Sequence, residues 1–272
     1  MGKLILIASG KGGVGKSTLA ASLGVALSRM GKTVCVVDGD IGLRSQDALL
    51  GLENSVVYDL LDVTRKACAL SQALVTPYSL QNLRLLPAAQ FARSKDVRPK
   101  PLAHILRQLK EENDFVLLDA PAGLERGLRS LLLPEVDETL LICTPDDMCL
   151  RDTARAAALL ERRELPRPSL VVNRLMPELI SAGEMMSAKA AADVVELALL
   201  GEIPEDATVY RALVNHRLLM DVHCEASEAI GRIARRLSGE TVALPGYGGK
   251  RVGWLRRRLL GSMKAMKEVT RA

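Results

Sequence analysis

The stretch KLILIASGKGGVGKST, residues 3–18, runs from an apolar segment through a glycine cluster to a lysine and two hydroxyl residues. Lys3–Ser9 is rich in Ile and Leu and reads as a buried strand. Ser17–Met30, with Leu19, Leu23, Ala26 and Leu27 at helical spacing, reads as a helix that Gly31 stops. Between them, Gly10-Lys11-Gly12-Gly13-Val14-Gly15-Lys16-Ser17 fits G-x-x-x-x-G-K-[ST] without a gap. Glycines let backbone N–H groups turn inward around an anion, and a helix N-terminus adds partial positive charge aimed at the same place. The pattern predicts a phosphate cradle. Lys16 would reach the outer phosphates, the Ser17 hydroxyl would ligate Mg²⁺, and Thr18 would reach the α-phosphate.

Outward from this stretch the strand–helix alternation repeats. Thr33–Asp38, Phe115–Leu118, Thr139–Cys143, Leu170–Val172 and Leu199–Ile203 read as buried strands, with Leu83–Leu86 a further candidate. Leu102–Glu111, Arg151–Arg163 and Ala188–Leu197 read as helices, and Arg93–Pro101 as a polar, proline-bearing loop. Continuous apolar strands alternating with helices predict an α/β fold, a mostly parallel doubly wound sheet with helices on both faces. In such sheets ligands lie beyond the carboxyl ends of the strands. Two predicted strands end in aspartate there. Asp119 fits a Walker B carboxylate holding Mg²⁺ through water. Asp38, with Asp40 two residues on, lies where a loop could reach the metal shell and an attacking water.

The 272 residues carry a net charge of +5, unevenly placed. From Gly246 onward there are eight basic residues and one acid, or +7, which leaves −2 for the body. Pro245-Gly246-Tyr247-Gly248-Gly249 reads as a flexible linker, dividing the chain into a body of 1–244, a linker of 245–249 and a basic arm of 250–272. At 100° per residue, Leu255, Met266, Leu259, Val252 and Met263 fall within a stripe of about 80°, with Leu260 about 60° beyond it. Basic residues fill the rest, and Trp254 falls off the stripe as a separate anchor at the headgroups. That pattern predicts an amphipathic helix lying on an anionic membrane surface. A nucleic-acid arm would not need so narrow an apolar stripe. Each basic residue near an anionic leaflet gives about 1 kcal/mol, against an ordering cost of at least ~1 kcal/mol per residue. One arm is therefore marginal, whereas two joined arms gain a factor of about 10²–10⁴.

The five cysteines include no Cys-x-x-Cys pair and read as reduced core thiols. No stretch reaches the apolar length of a membrane span, and the N-terminal run is too short for a secretory signal. His104, His216 and His223 show no ligand spacing.

The run S-G-K-G-G-V-G-K-S-T resembles the deviant Walker A motif of the MinD, ParA and nitrogenase-iron-protein superfamily, whose signature lysine corresponds to Lys11. Asp38-Gly39-Asp40-Ile41-Gly42-Leu43-Arg44, Val56-Val57-Tyr58-Asp59, Leu85–Gln90, Asp119–Gly123 and Ile203–Asp206 narrow the resemblance to the MinD branch. It implies an ATP-hydrolysing, ATP-dependently dimerising membrane switch that places the division septum. Its cofactors would be ATP and Mg²⁺, and it would sit on the cytoplasmic face of the cell membrane. Its partners would be a second copy, a MinC-like inhibitor of FtsZ assembly and a MinE-like or other topological factor. Lys11 would contact phosphates of the partner subunit, and Asp40 would orient or activate the hydrolytic water. Asn173 would read the adenine edge beside the Pro204–Asp206 loop. Arg44, Asp146, Asp147 and Asp152 would lie near the dimer or partner surface. Gly39 and Ala120 stand where the family pattern has phenylalanine and serine, and Ser45 where it has asparagine; the first two predict looser switch loops. The alternative is a ParA-like partitioning ATPase that binds DNA, which calls for basic patches that a body of net charge −2 lacks.

Overall fold

A computed structural model describes residues 1–93, 96–121, 123 and 131–247. Seven parallel strands form one sheet in the order β3-β2-β4-β1-β5-β6-β7. They are β1 (Lys3–Ala8), β2 (Val34–Asp38), β3 (Leu83–Leu86), β4 (Phe115–Asp119), β5 (Glu138–Cys143), β6 (Ser169–Leu175) and β7 (Ala198–Pro204). The apolar run of β1 is central because both its faces are covered, and Leu4 through Ala8 are wholly buried. The chain leaves β1 towards β2 on one side and resumes with β5 on the other, so the strand order reverses at β1. Doubly wound sheets open a ligand crevice at such a point.

The helices cover the sheet by apolar periodicity. In α1 (Lys16–Arg29) the buried face includes Leu19, Leu23 and Leu27, and it ends at Gly31 in a left-handed conformation. The short helices α2 (Gln46–Leu49), α3 (Leu60–Thr64) and α4 (Leu70–Ala73) follow β2. Next, α5 (Pro99–Glu112) buries Leu102, Ile105, Leu106 and Leu109, the i, i+3, i+4, i+7 pattern of a half-covered helix. Pro99 lies in its first turn, which corrects the expectation of a loop over Arg93–Pro101. Proline's missing N–H costs nothing there, since no first-turn N–H has a helical partner. After β5, α6 (Asp147–Arg162) begins four residues earlier than the apolar spacing suggests, because Asp146 caps it by accepting from the Cys149 N–H at 2.9 Å. The described helices continue with α7 (Pro177–Ala182), α8 (Ala188–Val195), α9 (Ala207–Val214) and α10 (Glu225–Leu237).

The edge strand β7 is covered by α10 and by residues 241–247. Arg236 of α10 donates to the carbonyls of Leu200 (3.0 Å), Val242 (2.9 Å) and Ala243 (2.7 Å). The Gly246 N–H donates to the buried Glu202 carboxylate at 2.5 Å, and Tyr247 packs on the core. The first residues of the predicted linker are thus held on the body. The remainder of the linker and the predicted membrane residues Trp254, Leu255, Leu259, Leu260, Met263 and Met266 lie outside the described residues. No described helix is long and apolar enough to cross a membrane. All five cysteines are free thiols; Cys35, Cys143 and Cys149 are buried, and Cys68 and Cys224 are half-buried.

Candidate nucleotide site

The sequence-predicted residues converge at the carboxyl end of the sheet. Between β1 and α1 the backbone turns through Gly13 (φ 78°) and Gly15 (φ 93°), a region that costs a side-chain-bearing residue strain. Gly15 is the N-cap of α1 and no side chain caps that end, which leaves its first N–H groups for an anion. The loop is braced from below: the Asn173 amide on β6 donates to the Val14 carbonyl at 2.8 Å, and the Ser9 hydroxyl donates to the Lys11 carbonyl at 3.0 Å. A Cβ on Gly15 would lie 2.5 Å from the Asn173 amide nitrogen. Gly15 is required by its backbone angle, since the Asn173 amide is a side-chain end that can swing aside.

Beneath the loop lies a buried charge cluster. Lys16 Nζ donates to Asp119 Oδ1 at 2.6 Å and to the Ser17 hydroxyl at 3.2 Å. Register brings the carboxylates together, since Asp38 pairs with Asp119 at the ends of the adjacent strands β2 and β4. Both are fully buried. Asp38 accepts from the N–H groups of Asp40 (3.0 Å), Ser45 (2.9 Å) and Gln46 (3.0 Å). Burial and the neighbouring Asp119 nonetheless push it up to about 7, with the three N–H bonds opposing. The Lys16–Asp119 ion pair with a second carboxylate, Asp38, beside it suits a cation. The donor set of hydroxyl and carboxylate oxygens is that of a hard divalent ion such as Mg²⁺, held partly through water. Among the described residues no group of three or more His, Cys, Asp or Glu side chains makes a protein-only metal cage. Asp40 is half-buried, and burial raises it above the usual carboxylate range; Lys16 lowers it and Asp119 raises it further.

Other expected residues sit around the rim. Lys11 is exposed, with Nζ 3.9 Å from Asp146 Oδ1. Gly12 is also exposed, and Thr18 is half-buried in the first turn of α1. Pro204 ends β7 beside Leu175 of β6, so the following loop lies next to the strand that carries Asn173. Asp206 caps α9 by accepting from the Thr208 N–H at 2.8 Å. The Asn173 amide donates to the loop backbone at Val14. Arg44 is not a free surface charge: its Nε pairs with the buried Asp47 at 2.6 Å. Gly39 and Ala120, where the family pattern has phenylalanine and serine, are both held by backbone hydrogen bonds. The Gly39 N–H donates to the Asp119 carbonyl at 2.9 Å, and a Cβ there would meet that oxygen and Leu131 at 2.7 Å. Ala120 is buried and donates its N–H to Ile7 at 3.0 Å.

One residue escaped the sequence reading. Gln46, fully buried at the start of α2, donates from Nε2 to Asp119 Oδ2 at 2.7 Å and to the Ser17 carbonyl at 3.1 Å. A lone glutamine carries no motif; the available signal was its position eight residues beyond Asp38, on the same loop.

A strand, a glycine loop and a helix N-terminus at the reversal point of a parallel sheet, with a loop lysine, a hydroxyl and a strand-end aspartate, define a P-loop nucleoside-triphosphatase. The comparisons agree. Residues 1–238 match the family model ParA, described as NUBPL iron-transfer P-loop NTPase. The septum site-determining protein MinD of Synechocystis sp. is 39% identical over 267 residues, covering 96% of this chain and all of that protein. The MinC:MinD cell division complex of Aquifex aeolicus superposes with a TM-score of 0.83 at 35% identity, over 89% of this chain and 98% of that one. MinD of Pyrococcus horikoshii, solved with Mg-ADP, gives 0.77 at 30% identity over 87% and 96%. This chain belongs to the MinD family.

Proposed function

We propose that the chain is an Mg²⁺-dependent ATPase acting as a membrane-associated switch in placement of the division septum. The observation that carries this is the cradle of residues 10–17 opening onto buried Lys16, Asp38 and Asp119, while Lys11 stands exposed outside it. Loop N–H groups and Lys16 would bind the phosphates. Ser17 would hold the metal directly, with Asp38 and Asp119 holding it partly through water. Magnesium, when bound, supplies Lewis acidity to the phosphate oxygens. Asp40 would orient the attacking water and take up its proton. Gly12 and Thr18 would complete the phosphate contacts, and Asn173, Pro204 and Asp206 would flank the base.

Lys11 is free to reach phosphates held by a second copy, so ATP would favour a dimer. The body of 1–244, the linker of 245–249 and the arm of 250–272 would then act together. Two basic arms on one dimer would grip an anionic leaflet that a single arm holds marginally. Hydrolysis would release them. The MinC:MinD complex supports a MinC-like partner for this chain, and a MinE-like or other topological factor would act on the same dimer. The chain would work at the cytoplasmic face of the membrane.

ATP hydrolysis measured with and without anionic liposomes tests the proposal, using the full chain, Lys11→Ala and residues 1–244. The full chain is expected to be stimulated by lipid and both variants not. Equal rates in all three would reject the coupling.

A further inference from the structure

Gln46 has an acceptor with nothing to accept from. Its Oε1 is buried without a hydrogen-bond partner among the described residues, and the neighbouring Ser45 hydroxyl is buried in the same condition. Such atoms are costly to leave unpaired, so a residue kept in that position needs another explanation. The surroundings supply one. The Gln46 amide nitrogen is fixed from two sides, by Asp119 Oδ2 at 2.7 Å and by the Ser17 carbonyl at 3.1 Å. Its backbone N–H is fixed by Asp38 at 3.0 Å. One residue thus ties together α1, β4 and β2, the three elements that carry Ser17, Asp119 and Asp38. With the nitrogen held, the carbonyl oxygen is fixed beside the same oxygens.

We propose that Gln46 is a positioning residue for the divalent cation: it fixes Asp119 through Nε2 and accepts a hydrogen bond from a metal-bound water through Oε1. The inference rests on the nucleotide-site reading above and deepens it. Sequence position alone does not suggest the role, since Gln46 is 29 residues from Ser17 and 73 from Asp119 in the chain. The chemistry fits. Ser17 would hold the metal directly and Asp38 and Asp119 partly through water, and a water polarised by a dication is a strong donor that seeks neutral or anionic acceptors. Outer groups of this kind commonly change metal affinity by about 10–100-fold when removed.

The test uses the full-length chain with ADP and Mg²⁺. Binding of N-methylanthraniloyl-ADP is followed by fluorescence while Mg²⁺ is titrated, and repeated in EDTA. Gln46→Met keeps the volume and removes both polar atoms. It is expected to raise the half-saturating Mg²⁺ concentration by about 10-fold or more, with ADP affinity in EDTA within about twofold of wild type. Gln46→Glu keeps an acceptor but adds a third buried carboxylate beside Asp38 and Asp119. Its melting temperature in EDTA should fall, and Mg-ADP should restore more of it than wild type gains. A merely structural glutamine would make both variants lose stability without altering Mg²⁺ dependence. Wild-type half-saturation in Gln46→Met, together with an ordinary Mg-ADP gain in Gln46→Glu, would overturn the inference and leave the nucleotide site standing. Wild type that binds no ADP would overturn both, and ADP binding with no Mg²⁺ dependence would overturn the metal role of Gln46 alone.

Discussion

The Lys16 ammonium lies 2.6 Å from the Asp119 carboxylate, and neither side chain has more than marginal access to solvent. This pair does two things at once. It compensates a charge that the sheet end buries, and it keeps the lysine beside Ser17, where phosphate oxygens would be bound. Removing the acid should therefore hurt more than activity. Asp119→Ala leaves Lys16 buried without its counter-charge, which costs about 3–5 kcal/mol. For a chain of this size that corresponds to a fall in melting temperature of roughly 10 °C. Calorimetry of the variant checks this; a loss under about 2 °C would show that Asp119 holds no uncompensated cation.

Gly39 is a packing requirement. Its N–H bonds the Asp119 carbonyl, and a methyl group there would sit 2.7 Å from that oxygen and from Leu131. Backbone oxygen cannot swing aside as a side-chain tip can. Gly39→Ala is expected to destabilise by about 1–3 kcal/mol and to slow hydrolysis by shifting Asp38 and Asp40 relative to Asp119. Urea unfolding midpoints and single-turnover rates measure the two effects; neither changing would mean that the two strand ends are free to separate.

At the opposite end of the sheet, Asp114 accepts from the Thr33 N–H at 2.8 Å and from its hydroxyl at 2.9 Å. These bonds hold its carboxyl below the usual range, with partial burial opposing. The sign follows from linkage. The stability this aspartate contributes is present above the unfolded value of about 3.9 and is lost as pH falls through the lower folded value. Asp114→Asn should be less stable than wild type at neutral pH, and the gap should narrow below about pH 4. Chemical unfolding at a series of pH values reads this; a gap that widens in acid would contradict it.

Lys11 has the opposite character from Lys16. It is about half exposed, and its ion-pair contact among the described residues, Asp146, is 3.9 Å away. Lys11→Ala is expected to change stability by no more than about 0.5 kcal/mol. The same change should abolish the rise in mass that Mg-ATP induces in an Asp40→Ala background, where turnover is slowed. Light scattering coupled to size exclusion separates the two outcomes. Persistence of the larger species would remove Lys11 from the subunit contact.

Much of this was legible in the chain because local chemistry and global fold agree. The unbroken apolar runs of Leu4–Ala8 and Val34–Val37 can only be two-face-buried strands, and the spacing of Gly15, Lys16 and Ser17 fixes the turn between strand and helix. What escaped reading depends on proximity in space. Pro99 looked like a breaker because its place in a first turn is set by where α5 must start to cover the sheet. Gln46 is silent in sequence, since its meaning comes from register that sets Asp119 opposite Asp38 and from a loop that folds back over both. Arg236 likewise carries no signal in sequence; its role comes from two carbonyls of the segment 241–247 and one of β7 that meet at its guanidinium.

Co-sedimentation of the full-length chain with anionic liposomes, in Mg-ATP with hydrolysis blocked by Asp40→Ala and in Mg-ADP, tests the switch most directly. The account predicts that most of the protein pellets with ATP and little with ADP, and that added salt weakens the ATP-bound fraction. Equal pelleting in the two nucleotides would contradict it.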